Sequence, residues 1–148
     1  MRRCGAWALG RWVMPIVLFA ACASPQVRTV VVRDARAFEA RQGGTGAAYV
    51  TIVNGTDSAE ALDSVTSPRS RFVSAHAQRE TNGYVTMTPL DHPSIAAHDS
   101  LVFTPGSDHL MLEDLDRDLK ARDQVPLTFW FQRTGPIRVT ATVTPYGS

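Results

Sequence analysis

The stretch that decides the fold is Arg71–Thr88, RFVSAHAQRETNGYVTMT, which has the pattern of two β-strands joined by Asn82-Gly83. An Asn-Gly pair between two such runs is the strongest short signal for a two-residue hairpin turn. With that turn, Gln78 faces Met87 across the hairpin. Because side chains alternate between the two faces of a strand, His76 then lies on the same face as Met87, as its diagonal neighbour.

The rest of the chain from Thr29 onward consists of short apolar or alternating runs separated by turn residues. Strands are predicted over Thr29–Val32, Ala47–Val53, Ala59–Val65, Asp99–Phe103, His109–Leu112, Val125–Phe131 and Ile137–Thr144. Short strands at this spacing indicate an all-β sandwich or barrel. Leu115–Arg122 is the only segment whose pattern could hold a turn or so of helix.

A second His–Met pair lies on one predicted strand. His109 and Met111 are separated by one residue, so both point to one face, about 6.7 Å apart along the strand. Beyond residue 22, Met87 and Met111 are the only methionines. Thioether sulfur is soft and uncharged, which favours Cu(I) over hard cations, and imidazole binds the same ion. The candidate ligands of one Cu(I) ion are therefore His76, Met87, His109 and Met111.

Other chemistries lack the residues they need. A blue-copper site requires a cysteine thiolate, and zinc sites favour thiolate, imidazole and carboxylate. The only cysteines are Cys4 and Cys22, near the amino terminus. Neither a Gly-x-Ser-x-Gly elbow nor a zinc-protease helix motif occurs in the sequence. We therefore expect a copper carrier and not an enzyme, and we expect His92 and His98 to lie in loops without a metal.

Two further interpretations stay open at this point. A methionine on a strand usually fills a core, so the chain could be an exported β-sandwich interaction module whose histidines and methionines are merely packed. Copper storage or detoxification would use the same four side chains as copper delivery, and the sequence does not separate these functions.

The spacing of the four candidate ligands resembles that of the PCuAC family of periplasmic copper chaperones. The order is His, ten residues, Met, twenty-one residues, His, one residue, Met. The segments Gly46–Asn54, Pro105–Leu112 and Val125–Phe129 also resemble segments of that family, and the similarity covers about Val30–Val143. The resemblance implies a cupredoxin-like, Greek-key sandwich that binds Cu(I) through those four side chains. It also implies delivery of copper toward the copper-A centre of cytochrome c oxidase.

The chain departs from the family pattern at two places. Many members carry a second methionine directly after the first histidine, where this chain has Ala77. The His- and Met-rich tail of some members is also absent from the sequence, which ends in TPYGS. Both departures argue against a second copper ion or an independent Cu(II) site.

The amino-terminal 22 residues are predicted to be a cleavable signal segment. Arg2, Arg3 and Arg11 precede an apolar run of ten residues, Trp12–Ala21, which is too short to span a bilayer as a helix. Residues 18–22, LFAAC, resemble a bacterial lipoprotein cleavage box. Cleavage before Cys22 and lipid attachment to it are therefore expected, with plain cleavage after residues 21–23 as the alternative. Residues 23–28 would then be a tether and residues 29–148 the copper-binding domain.

Charge and location narrow the expected partners. Loss of the three signal arginines leaves 12 basic against 14 acidic residues, a net charge of −2. Without a basic patch, nucleic acid is not an expected ligand. We expect a periplasmic protein that is held at a bacterial membrane surface only through Cys22. Its expected partner is a copper-accepting protein, such as a cytochrome c oxidase subunit or another copper chaperone.

Overall fold

The computed structural model describes residues 28–145, and every regular element in this range is a β-strand. The strands are β1 Val30–Phe38, β2 Gly46–Asn54, β3 Glu60–Thr66, β4 Ser70–Thr81, β5 Tyr84–Pro89, β6 Ser94–Ile95, β7 Ser100–Val102, β8 His109–Leu115, β9 Gln124–Phe131 and β10 Gly135–Thr144. The all-β prediction is confirmed. The predicted signal segment, Cys22 and most of the predicted tether lie outside the described residues.

Leu115–Arg122, the only segment whose pattern allowed a turn of helix, contains no helix. β8 continues to Leu115, and the following chain stays extended enough for Leu119 to form an isolated bridge with Ala40. Leu115 and Leu119 are both buried in the core, with 2% of each exposed. Their spacing of four resembles a helical period, but Leu115 reaches the core from a strand and Leu119 from an isolated β-bridge.

One continuous sheet contains all ten strands, in the order β5-β4-β8-β2-β1-β10-β9-β3-β6, with β7 paired to β2. The parallel pairing of β1 with β10 joins the first five strands of this order to the last four. Val50 and Leu110 from the first group and Val125 and Phe129 from the second belong to the same buried cluster. The sheet therefore folds over on itself, and the two halves pack as a sandwich.

Two buried polar side chains fix loops between the strands. Asn54 donates from Nδ2 to the carbonyl oxygen of Ala96, in the loop after β6, at 3.0 Å. The Glu60 carboxylate accepts hydrogen bonds from the backbone amides of Arg133 and Thr134 and from the Thr134 hydroxyl. Burial acts to raise the pKa of Glu60, but these hydrogen bonds outweigh it and hold that pKa below its ordinary value.

The β4–β5 hairpin has the predicted turn and register. Asn82 and Gly83 have φ values of 54° and 79°, and a type I′ turn requires positive φ at both central residues. Gln78 pairs with Met87, as the sequence predicts. Two turn residues thus determine which side chains of β5 lie beside those of β4.

Gly83→Ala is expected to weaken folding through the backbone alone. A Cβ added at Gly83 would meet no atom within 4 Å, but the left-handed conformation costs an L-residue about 1–2 kcal/mol. Urea unfolding should show a loss of free energy of unfolding of that size. Gly83→Asn should lose less, because asparagine tolerates this conformation better. Equal stability of the alanine variant and the wild type would contradict the assigned turn.

Candidate metal centre

The strand register brings the four predicted ligands onto one face of β5, β4 and β8. These residues are His76, Met87, His109 and Met111. His76 pairs directly with His109 across β4 and β8. Met111 pairs with Ser74, and Met87 pairs with Gln78, each two residues from His76 along β4. Paired residues point to the same side of a sheet, and so do residues two apart on one strand. The two His–Met pairs, remote in sequence, are therefore adjacent in space.

The ligand face points away from the core. Leu110 and Leu112 alternate with His109 and Met111 along β8, and both leucines are completely buried. On β4, Ala77 is buried next to His76. None of the four candidate ligands belongs to the hydrophobic core cluster. The methionines therefore do not serve as core filling, which was the alternative interpretation of their positions.

The two imidazoles lie side by side. The ring centroids of His76 and His109 are 6.2 Å apart, and the ring planes differ by 27°. Two imidazoles bonded to one ion can span about 6 Å between ring centres, since each metal–nitrogen bond is about 2 Å long. The direct cross-strand pairing thus holds the ring centres at about the separation that a single ion can bridge.

His109 is oriented by the loop before it. Its Nδ1 lies 3.0 Å from the carbonyl oxygen of Ser107. A carbonyl oxygen only accepts hydrogen bonds, so the proton resides on Nδ1, and Nε2 keeps the lone pair that a metal needs. The loop itself is closed by backbone hydrogen bonds between Thr104 and Asp108 and between Ser107 and Thr104. Metal-binding histidines typically donate their second ring nitrogen in this way.

Exposure varies across the site. His109 is 6% exposed, whereas Met87 is 54% exposed; His76 and Met111 are half-buried. The site is therefore shallow, as expected for a carrier, and it opens on the side of β5. A second molecule could reach Met87 without any movement of the sheet.

The two remaining histidines lie elsewhere, as predicted. His92 Nδ1 is 3.3 Å from Asp63 Oδ1, and His98 Nε2 is 2.9 Å from Asp57 Oδ1. Both histidines are exposed and occur between strands. Within residues 28–145, no group of three or more His, Cys, Asp or Glu side chains could hold a metal.

Sequence reasoning missed two pairs of polar side chains around the site. Ser74 and Glu113 are hydrogen-bonded to each other beside His76. Arg79 forms an ion pair with Asp108, the residue before His109, and so joins the hairpin to that loop. The only signal for Ser74 and Glu113 is their spacing of two from His76 and Met111, which alone does not distinguish them from ordinary surface residues.

Among residues 28–145, we find no helix long and apolar enough to span a bilayer.

Comparison with known proteins relates this arrangement to a family. The family model described as "Putative lipoprotein LpqE-like" matches residues 30–143. The chain belongs to the LpqE-like family. One curated relative, the uncharacterized protein RP573 of Rickettsia prowazekii (strain Madrid E), is 31% identical over 86 residues, which is 57% of this chain and 48% of that protein. This LpqE-like chain thus matches about half the length of that relative.

Solved structures establish the fold of the LpqE-like chain. It is similar to the copper-bound PCuAC domain from PmoF2, with a TM-score of 0.67 and 19% identity over 79% of this chain and 93% of that one. It is also similar to the solution structure of CuI-DR1885 from Deinococcus radiodurans, with a TM-score of 0.61 and 25% identity over 86% of this chain and 84% of that one. The predicted relationship to PCuAC domains is confirmed, and the fold is theirs.

The exposure difference predicts which methionine oxidises first. Limited treatment of the copper-free protein with hydrogen peroxide should form sulfoxide at Met87 before Met111, because oxidation follows exposure. Peptide mass spectrometry over time measures both rates. In the urea-unfolded protein, the two rates should become similar. Faster oxidation of Met111 in the folded protein would contradict the placement of β5 at the open side of the site.

Proposed function

We propose that this chain is an exported metallochaperone that binds one Cu(I) ion through His76, Met87, His109 and Met111. The observation that carries the proposal is the β4–β8 register, which pairs His76 with His109 and brings both His–Met pairs to one outer face. Two neutral imidazoles and two neutral thioethers suit a soft monovalent ion. Two structural neighbours, the PCuAC domain from PmoF2 and DR1885 from Deinococcus radiodurans, are copper-bound structures. This supports the same cargo here.

The geometry suits transfer better than catalysis. Four neutral ligands leave the ion with its positive charge and hold it without a thiolate bond. The shallow opening at Met87, which is 54% exposed, allows an incoming soft ligand to replace that thioether first. His109 is nearly buried, and so it would release the ion last. A carrier needs this graded release, and we infer that the chain is not an enzyme.

The proposed destination of the ion follows from the family resemblance. PCuAC-type delivery would carry copper toward the copper-A centre of cytochrome c oxidase, and the acceptor would be an oxidase subunit or another copper chaperone. Storage or detoxification would use the same residues. A site that is open to solvent at one ligand favours delivery, because a store protects its ion from exchange.

The proposed location is the outer side of a bacterial inner membrane or the periplasm. The description of the LpqE-like family as lipoproteins supports lipid attachment at Cys22 after removal of residues 1–21. A tether over residues 23–28 would reach at most about 20 Å at 3.3–3.6 Å per residue. A domain anchored in this way would stay close to the membrane in which cytochrome c oxidase resides.

Cu(I) titration against a competing colorimetric chelator, without oxygen, tests the proposal. We expect one Cu(I) per chain and a loss of affinity above about 100-fold in His109→Ala/Met111→Ala, since removal of mere partners of metal ligands already costs 10–100-fold. His92→Ala/His98→Ala is the matched control, because both of these histidines are exposed and lie outside the site. Binding well below one equivalent, or equal affinity in the two double variants, would refute the assignment.

An experiment in a bacterial deletion strain distinguishes delivery from storage. In a deletion strain grown at low copper, loss of delivery predicts reduced cytochrome c oxidase activity that the wild-type gene restores and the His109→Ala/Met111→Ala gene does not. Normal oxidase activity together with greater copper sensitivity would instead favour storage or detoxification.

A further inference from the structure

We infer that Ser74 and Glu113 are positioning residues that hold the imidazole of His76 in its metal-binding form. Ser74 lies on the ligand face, opposite Met111. Glu113 follows Met111 by two residues on the same face of β8 and pairs with Phe72. The two polar residues therefore lie beside the candidate ligands and on the same side of the sheet. The inference that they affect copper binding rests on the proposed function, whereas their effect on His76 does not.

The hydrogen bonds of Ser74 have a defined direction. Its hydroxyl lies 2.7 Å from Glu113 Oε1, which is a short hydrogen bond typical of a carboxylate acceptor. A serine hydroxyl has one proton, and this contact uses it. Ser74 Oγ also lies 3.5 Å from His76 Nδ1. Since the serine has no second proton, the imidazole must be the donor in that contact.

This direction selects one tautomer of His76. With its proton on Nδ1, the neutral ring keeps the lone pair on Nε2, which is the form already assigned to His109 from the Ser107 carbonyl. Both rings then present the same nitrogen to the ion. Glu113 polarises the Ser74 hydroxyl and makes its oxygen a better acceptor.

The two histidines are held to different degrees. His109 donates over 3.0 Å to a backbone carbonyl, which no side-chain substitution removes. His76 donates over 3.5 Å to a side chain, the longer and weaker of the two contacts. The orientation of His76 is therefore the one that depends on particular side chains. A role limited to joining β4 and β8 would stabilise the sheet without any effect on the tautomer of His76.

Nitrogen-15 NMR of the copper-free protein at pH 8 separates these roles. In the wild type, we expect His76 to carry its proton on Nδ1. In Ser74→Ala, we expect a shift toward the Nε2–H tautomer that predominates in free histidine. Ser74→Thr should restore the wild-type form, and Glu113→Gln should have a smaller effect in the same direction. Ser107→Ala is the matched control, because His109 uses the carbonyl and not the hydroxyl of that residue.

Cu(I) titration of the same variants gives the second measurement. Ser74→Ala should bind Cu(I) 10–100-fold more weakly, the range found when partners of metal ligands are removed, whereas Ser107→Ala should bind like the wild type. An unchanged His76 tautomer in folded Ser74→Ala would overturn the inference. The tautomer is measured without copper, so it can change in Ser74→Ala even if the wild type binds no Cu(I). That combination would support the positioning role and refute only the proposed function.

Discussion

The pairing of His76 with His109 across β4 and β8 is the constraint on which the site depends. A slip of one residue in this register would turn one imidazole of the pair toward the core. The opposite face prevents that slip, because Leu110 and Leu112 of β8 are completely buried between the two halves of the folded sheet. The buried leucines thus specify the register, and the candidate ligands of β8 occupy the alternate positions on the opposite face.

The position of Met87 in the site depends on the turn of the β4–β5 hairpin. Met87 pairs with Gln78, two residues from His76, because Asn82-Gly83 forms a two-residue turn with positive φ at both residues. The site therefore has a buried side and an exposed side. His109 is nearly buried and is oriented by a closed loop, whereas Met87 lies on β5, at the end of the strand order. The buried side of the site is formed by β8 and the loop before it, and the exposed side by the hairpin.

Much of this arrangement could be predicted from the sequence, and the exceptions have physical reasons. The Asn82-Gly83 hairpin and the shared face of His109 and Met111 are local, so turn chemistry and the period of two were sufficient. The β4–β8 pairing joins segments that are distant in sequence, and only the family resemblance pointed to it. β1 was predicted to end at Val32 but runs to Phe38, because an irregularity between Arg33 and Arg36 disturbs the alternation of its side chains. Ser74 and Glu113 could not be recognised before their partners were known.

X-ray absorption spectroscopy of the protein loaded with one equivalent of Cu(I) tests the central claim most directly. Convergence of the two His–Met pairs on one ion predicts a copper shell of two sulfur and two nitrogen scatterers. Loss of one sulfur scatterer in Met87→Leu, and of the other in Met111→Leu, would assign them to these residues. A shell of nitrogen or oxygen alone, or a shell that both substitutions leave unchanged, would contradict the claim.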